Sequence, residues 1–419
     1  MVESDRAKPV LVSNDIKGET IMKLTIKDEI LAYRSELIAL RREFHRFPEP
    51  GYKEFRTSKS VYDYLKSIGF DSVRNICKTG VVGTLSGNKN NGRSVMLRVT
   101  MDGVPVQERT GLEYASVNPG YMHCGGTDAQ MAVALVVSKI LSRHRDMFSG
   151  RYVAVFQPNG ELGGARDMIE DGILEDLHPD HCLSMHFTSM LDAGRIGLSS
   201  GVVTGSTRQF IIRLKGKSGS SYMPHISKDP ILAAARIIDG LQILETRMLD
   251  PFTTVRIMLG KINGGTARNV TPKEVVLEGT IRALNMEMED LNHGIETELK
   301  EWTGNVCSLM GIDCEVEFLN EVKSIKNDTL TANALRTVAE RTYPDLSCVL
   351  EHRTLMSDDF SEFSSRVPSV LSFFGITNEA KNCVYPNNHA RFNLDEEILT
   401  NVSEFFFRSI IDLLNQKQL

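Results

Sequence analysis

The sequence predicts an α/β protein, a layered mixed sheet with helical crossovers that is interrupted by a smaller α+β unit. Three observations carry this. From Glu54 to His186, short apolar runs of strand length alternate with helix-length segments. Beyond about Gly201 the order changes to β-α-β-β-α-β, the split ferredoxin-like pattern. After Phe318 the helix and strand alternation resumes, so the second unit reads as inserted into the first. The expected division is a tail over residues 1–24, an α/β domain over 25–203 and 320–419, and an inserted domain over 204–319.

The elements follow in order. Residues 1–24 lack periodicity and read as a loose tail, with Met22 a plausible natural start. Apolar residues recur at helical spacing from Ile26 to His45, and the turn Phe47-Pro-Glu-Pro-Gly ends that helix. Glu54 to Ile68 is a second helix, stopped by Gly69. Val81–Leu85 and Ser94–Val99 read as buried strands. An apolar helix opens after Gly126 and runs to about Leu141, followed by the strand Tyr152–Phe156, a helix over Ala165–Asp171 and the strand Cys182–His186. In the insertion, Arg208–Lys215 alternates as a strand, Pro230–Leu244 is helical, and Thr253–Lys261 and Glu274–Ala283 are strands. Glu287–Met310 is a long helix and Cys314–Phe318 a last strand. Thr331–Thr342, Val370–Phe374 and Asp395–Leu414 close the chain as helix, strand and helix.

Composition narrows the function classes. The chain has 419 residues, 41% hydrophobic and 24% charged, which suits a globular protein with sizeable cores. A net charge of -6 argues against a nucleic-acid partner. No apolar run approaches the roughly 18 residues of a membrane span, and the charged start lacks a secretory h-region. Seven cysteines without a CxxC pair fit a reducing cytoplasm.

The stretch Met122-His-Cys-Gly-Gly-Thr-Asp-Ala-Gln stands at a loop-to-helix junction, a place that often holds a ligand or metal against backbone. Its side chains offer few metal donors. Cys124 lies at the helix N-terminus, where the dipole is expected to lower its pKa, although a small buried cysteine is the commoner case.

Several long motifs carry a resemblance. Leu40-Arg-Arg-Glu-Phe-His-Arg-Phe-Pro-Glu-Pro-Gly, Met101-Asp-Gly-Val-Pro-Val-Gln-Glu-Arg-Thr-Gly-Leu, Met223-Pro-His-Ile-Ser-Lys-Asp-Pro-Ile, Asn263-Gly-Gly-Thr-Ala-Arg-Asn-Val-Thr-Pro and Ala390-Arg-Phe-Asn-Leu-Asp-Glu-Glu resemble the hippurate hydrolase and auxin-conjugate hydrolase branch of the aminoacylase-like zinc amidohydrolases. The similarity spans about residues 24–418. It implies a metallopeptidase-like α/β domain with an inserted lid that also mediates homodimerisation, and cleavage of N-acyl amino acids. It also implies two divalent metals held by Cys, His, Glu, His and His, with a Glu beside the ligand Glu activating water.

Residue by residue, this chain departs from that pattern. Aligned without a gap, the ligand Cys becomes Gly125, the ligand His becomes Thr127, and Gln130 stands at the following His, with Cys124 one place early. In Gln157-Pro-Asn-Gly-Glu, Glu161 keeps the ligand position while the base becomes Gly160. His186 keeps its position; the final ligand His becomes Asn388, with His389 next door. The lid His becomes Ser220, and Thr100 replaces an Asp two before Asp102.

Glu161 and His186 alone cannot hold two cations. No cofactor is expected; the remaining metal option is a single zinc on Glu161, His186 and one of Cys124 or His389. Without metal, Asp102, Asp128, Glu161 and His186 are expected to converge as acid–base groups, with Asp358 approaching. For Asp102 and Asp128 bonding to loop backbone is the favoured alternative. Asn388, His389, Asn269, Thr266, Ser220 and Cys124 are the candidate ligand contacts, and His45 and His225 are expected to orient loops. Three functions follow, in order of preference: a repurposed metal-independent enzyme on an amino-acid amide or N-acyl amino acid, working by hydrolysis, condensation or cyclisation; a pseudoenzyme binding a small acylated ligand or a partner; and a metal-dependent amidohydrolase with a reduced site.

Overall fold

The structure, a computed structural model, describes residues 26–250, 252–284, 294–343 and 349–416. The tail expected over 1–24 lies outside them. The first helix spans 26–32, breaks at Tyr33 and continues as Arg34–Arg46.

An eight-stranded mixed sheet organises the larger unit. Across it run Ser72–Ile76, Gly80–Ser86, Ser149–Gln157, Lys89–Thr100, His181–Asp192, Ser369–Thr377, Ile196–Gly197 and Val349–Leu350. The strands from Ser149–Gln157 to Ser369–Thr377 in that order are mutually parallel. Parallel strands bury both faces, so their sequences run apolar without alternation, and Tyr152 to Phe156 are all inaccessible. One face packs on Arg34–Arg46, Thr127–Arg143, Thr329–Thr342 and Ile398–Leu414, and the other on Gly164–Glu170, Ile173–Leu177 and Ser361–Ser364. The strand Ser72–Ile76 has no sequence expectation behind it. It is short and polar, and its antiparallel ladder with Gly80–Ser86 holds it at the sheet edge.

The inserted segment forms a second sheet, ordered Thr254–Gly264, Glu274–Leu284, Ser206–Lys215 and Asp313–Val322, all antiparallel. Helices Pro230–Ile243 and Ile295–Met310 cover one face. The alternation in Ser206–Lys215 follows, with Phe210, Ile212 and Leu214 facing those helices. The helix expected from Glu287 begins at Ile295, and residues 285–293 lie outside the described part.

The chain leaves the large sheet and returns to it side by side, Gly201–Val202 pairing with Lys326–Asn327. Asn327 is buried and fastens this crossing. Its Nδ2 donates to the Ser199 carbonyl at 2.8 Å and the Leu371 carbonyl at 3.0 Å, and its Oδ1 accepts from Leu371 N–H at 2.8 Å. Asn327→Ala strands three buried backbone groups, and we expect a loss of about 2–4 kcal/mol in urea unfolding. A midpoint equal to wild type would show that the crossing is held by other contacts.

Candidate functional site

Asp102, Glu161 and His186 lie past or near the carboxyl ends of the parallel strands, where open α/β sheets bind ligands. Asp102 follows the strand Lys89–Thr100. Its carboxylate accepts from the N–H of Gly160 at 2.8 Å and of Glu161 at 3.1 Å, so it fixes the turn Gly160–Leu162 that presents Glu161. His186 projects beyond Ser184, the last residue of its strand paired to Arg98. Arg98 is buried beneath. It donates through Nε to Gln157 at 2.7 Å and through Nη1 to Asp358 at 3.1 Å, and Nη2 bonds Asp359.

Electrostatics tie these groups together. Protein crowding, then the charges of Asp102 and Asp358, push Glu161 up to about 7. Burial brings His186 down to about 4, with Asp358 opposing and His352 and Arg98 adding to the fall. Asp358 is held below the ordinary carboxylate range, Arg98 outweighing burial, while the more enclosed Asp359 lies above it. Near neutral pH the site therefore presents a neutral imidazole, an ionised Asp358 and a Glu161 poised between two forms. Glu161 is itself exposed, at the edge of this group. Asp102 is raised by burial, against the pull of its two backbone donors.

Asp128 has a different setting. Gly126, at φ 82°, turns the chain into the helix Thr127–Arg143 with its Cα against Phe187, which leaves no room or backbone freedom for a side chain. Asp128, one residue inside that helix, is fully buried. It accepts from Arg41 Nε at 3.0 Å and His45 Nδ1 at 2.8 Å. His45 Nε2 also meets Glu108 at 3.3 Å, so both ring nitrogens face carboxylates and the ring is an imidazolium. Burial opposes the charge on both groups, yet Arg41 and His45 hold Asp128 well below its usual range, and Asp128 and Glu108 raise His45. This is a buried ion network, and it holds Asp128 away from solvent. His123, fully buried beside Thr127, is brought down to about 4.

Of the two readings of Cys124, the structure has the buried one. Its thiol is enclosed, within 3.9 Å of Asn388 Oδ1, and burial pushes its pKa up to about 12 despite the helix terminus. Asn388, at φ 65°, donates its N–H to the Cys124 carbonyl at 2.9 Å. His389 is exposed and stacks on Tyr385 at 4.8 Å. Ser220, Thr266 and Asn269 lie in the inserted unit, Ser220 pairing with Val270. No hydrogen bond or ion pair among the described residues joins these three to Glu161 or His186.

The donors present do not fit the dinuclear centre that the resemblance implies. Among the described residues no three His, Cys, Asp or Glu side chains gather closely enough to hold a metal ion. The place of the water-activating carboxylate is closed as well. A Cβ on Gly160 would lie 2.5 Å from the Thr100 methyl and 3.1 Å from Asp102 Oδ1.

Two participants escaped the sequence reading. Arg98 had a signal, a guanidinium inside an apolar strand, which demands buried counter-ions. His352 had none, because a fold contact alone brings it near His186.

Comparison with known proteins places these observations. The model of "Peptidase family M20/M25/M40" matches residues 96–412. Thermostable carboxypeptidase 1 of Saccharolobus solfataricus is 31% identical over 89% of this chain and 94% of its own length. IAA-amino acid hydrolase ILR1-like 4 of Arabidopsis thaliana is 31% identical over 93% of this chain and 89% of its own. The crystal structure of the Bacillus subtilis YXEP protein, described as a dinuclear metal binding peptidase, is similar at a TM-score of 0.76 with 26% identity, covering 91% of this chain and 99% of that one.

The Asp128 network makes a pH-dependent contribution to stability. A carboxylate depressed on folding stabilises above its unfolded pKa of about 3.9 and loses that contribution as pH falls. His45, raised on folding, stabilises below about 6.5 and loses its share as pH rises through its folded value. Asp128→Asn leaves Arg41 and His45 without their shared anion. We expect a cost of roughly 3–5 kcal/mol at pH 7 and a flatter acid limb in thermal melts from pH 7 to pH 3. An acid limb as steep as that of wild type would assign the dependence to other carboxylates.

Proposed function

The chain belongs to peptidase family M20/M25/M40, and from that premise we propose that it acts on the amide bond of an N-acyl amino acid or related amino-acid amide, using Glu161 and His186 as acid–base groups in place of a dinuclear metal centre. The names of its relatives support the bond type: a carboxypeptidase and an IAA-amino acid hydrolase both imply an amide beside an amino acid. The observation that carries the chemistry is the closed space at Gly160, where the Thr100 methyl occupies the path of any side chain. A carboxylate base cannot stand there without displacing Thr100.

Glu161 carries the chemistry that remains. Its pKa of about 7 lets it hold a proton at one oxygen and release it near neutral pH. His186, neutral in the same range, can accept a proton or donate a hydrogen bond. Arg98 keeps Asp358 ionised beside them, where it can orient a ligand N–H. These groups serve amide cleavage and its reverse, condensation or cyclisation, equally well. A reduced single-zinc site is less well supported. Cys124 is enclosed against Asn388, and His389 stacks on Tyr385 at the surface.

One feature favours binding without turnover as a second reading. Glu161 is exposed, and an exposed acid does not exclude water from a reacting bond. In that case N-acyl amino acids raise the melting temperature without being consumed.

We also infer a homodimer through the inserted unit. Its strand Thr254–Gly264 lies at the sheet edge, pairing on one side only among the described residues, and Met258 and Ile262 on it are exposed. Met258→Lys is expected to shift sedimentation from dimer toward monomer; a monomeric wild type would refute the inference.

The central test joins metal content to turnover. Protein purified without chelator is expected to carry less than stoichiometric zinc and to process N-acetyl amino acids equally well with and without chelator. Glu161→Gln should then lower kcat by about a hundredfold or more. Two tightly held metal ions with activity abolished by chelation would overturn the proposal.

A further inference from the structure

The strand Ser369–Thr377 aligns the cleft with a neighbouring position that carries no side chain. Phe373 stands opposite His186 on one side and opposite Gly197 on the other. Residues in register across a sheet emerge on the same face, so His186, Phe373 and Gly197 form one row. The vacant third place is filled from outside the row. A Cβ on Gly197 would lie 2.5 Å from His352 Cβ and 3.1 Å from its Cγ, so the glycine is what admits His352. The imidazole meets Phe373 edge to face at 4.8 Å and 66°. His186 meets the same ring at 5.9 Å and 68°. Two imidazoles thus flank one phenyl ring.

The backbone of His352 is pinned. Its N–H donates to Ser199 Oγ at 2.8 Å, and that hydroxyl donates to the His352 carbonyl at 3.0 Å. The ring is not satisfied in the same way. Its Nε2 is buried and has no hydrogen-bond partner among the described residues. An unpartnered buried nitrogen costs about 1–3 kcal/mol, a cost that a ligand atom at that point would offset.

We propose that His352 is a substrate-contacting residue whose Nε2–H donates a hydrogen bond to the amide carbonyl oxygen of the ligand, across Phe373 from His186. This rests on the reading that the cleft takes an amide. The surroundings select the ligand group. Burial lowers the His352 pKa, so the ring is neutral at pH 7 and offers a dipole rather than a charge. Asp358 and ionised Glu161 make this end of the cleft unfavourable to the carboxylate of an N-acyl amino acid, so its amide end is the one placed here. A neutral carbonyl oxygen at His352 leaves the adjoining N–H free to face Asp358.

The experiment uses the full chain and a panel of N-acetyl-L-amino acids as probes. His352→Phe keeps an aromatic edge against Phe373 and removes both nitrogens. In titration calorimetry the variant should bind about tenfold more weakly than wild type, the equivalent of one buried hydrogen bond of roughly 1.4 kcal/mol. In wild-type protein with 15N-labelled histidine, the His352 Nε2 resonance should shift on saturation with the probe. That measurement decides the matter even if the variant fails to fold, and a purely structural role would leave the resonance unmoved. Wild-type binding with an unshifted resonance, or with unchanged affinity in a folded His352→Phe, overturns the assignment to His352 and leaves the amide reading standing. If wild type binds none of the panel, the amide reading falls and the role of His352 falls with it.

Discussion

One buried carboxylate holds the cleft side of this molecule in place. Asp128 begins the central helix, and its partners Arg41 and His45 come from another helix 87 and 83 residues away in sequence. Arg41 reaches on to Glu396 at 2.8 Å and Asn393 at 3.0 Å, so the same guanidinium ties in the segment before the closing helix. Three distant stretches are thereby locked around one oxygen. Such a network adds little net stability over an apolar packing, but removing one partner is severe, because the others stay buried and charged. What the network supplies is position. It fixes the start of the central helix, and with it the turn Cys124–Gly126 against Phe187 and the backbone bond from Cys124 to Asn388.

Part of the ring of substitutions around the cleft is mutually fitted. Gly160 and Thr100 fit only each other: the methyl of one fills the space that the other leaves. Asp102 has turned to the backbone of the same turn, both oxygens engaged by N–H groups. The fit is local: Gln130 Oε1 is buried without a hydrogen-bond partner among the described residues, and a Cβ on Gly125 would meet nothing within 4 Å. On the proposed reading, the pocket was refitted around Glu161, His186 and Asp358 while the Arg98 support beneath was kept.

The layered sheet was legible, though not its strand order, because parallel strands bury both faces. Runs such as Tyr152–Phe156 are apolar throughout, and their alternation with helices prescribes crossovers. The inserted unit was legible through its two-residue period. Ser72–Ile76 was not, since only pairing with its neighbour makes it a strand. At the site, local sequence singled out Asp102, Glu161 and His186; the charge of Asp102 acts on Glu161, and that of Asp358 acts on both Glu161 and His186. For Cys124 it offered two outcomes, a thiol activated by a helix terminus and the commoner buried thiol, because a helix terminus is visible in sequence and the degree of enclosure is not. It could not reach His352, whose place is created by a missing side chain on another strand.

The crossing between the two sheets has a mechanical meaning. Both connections pass through one short ladder, Gly201–Val202 against Lys326–Asn327, and Asn327 bolts that ladder to the backbone of Leu371. Paired connections cannot slide past one another without breaking hydrogen bonds, and the ribbon is braced from the side. Gly205 N–H donates to the carbonyls of Thr354 at 2.9 Å and Met356 at 3.0 Å, and Arg282 Nη1 donates to the Leu355 carbonyl at 2.9 Å, so twisting the inserted unit about its tether would strain a second set of bonds.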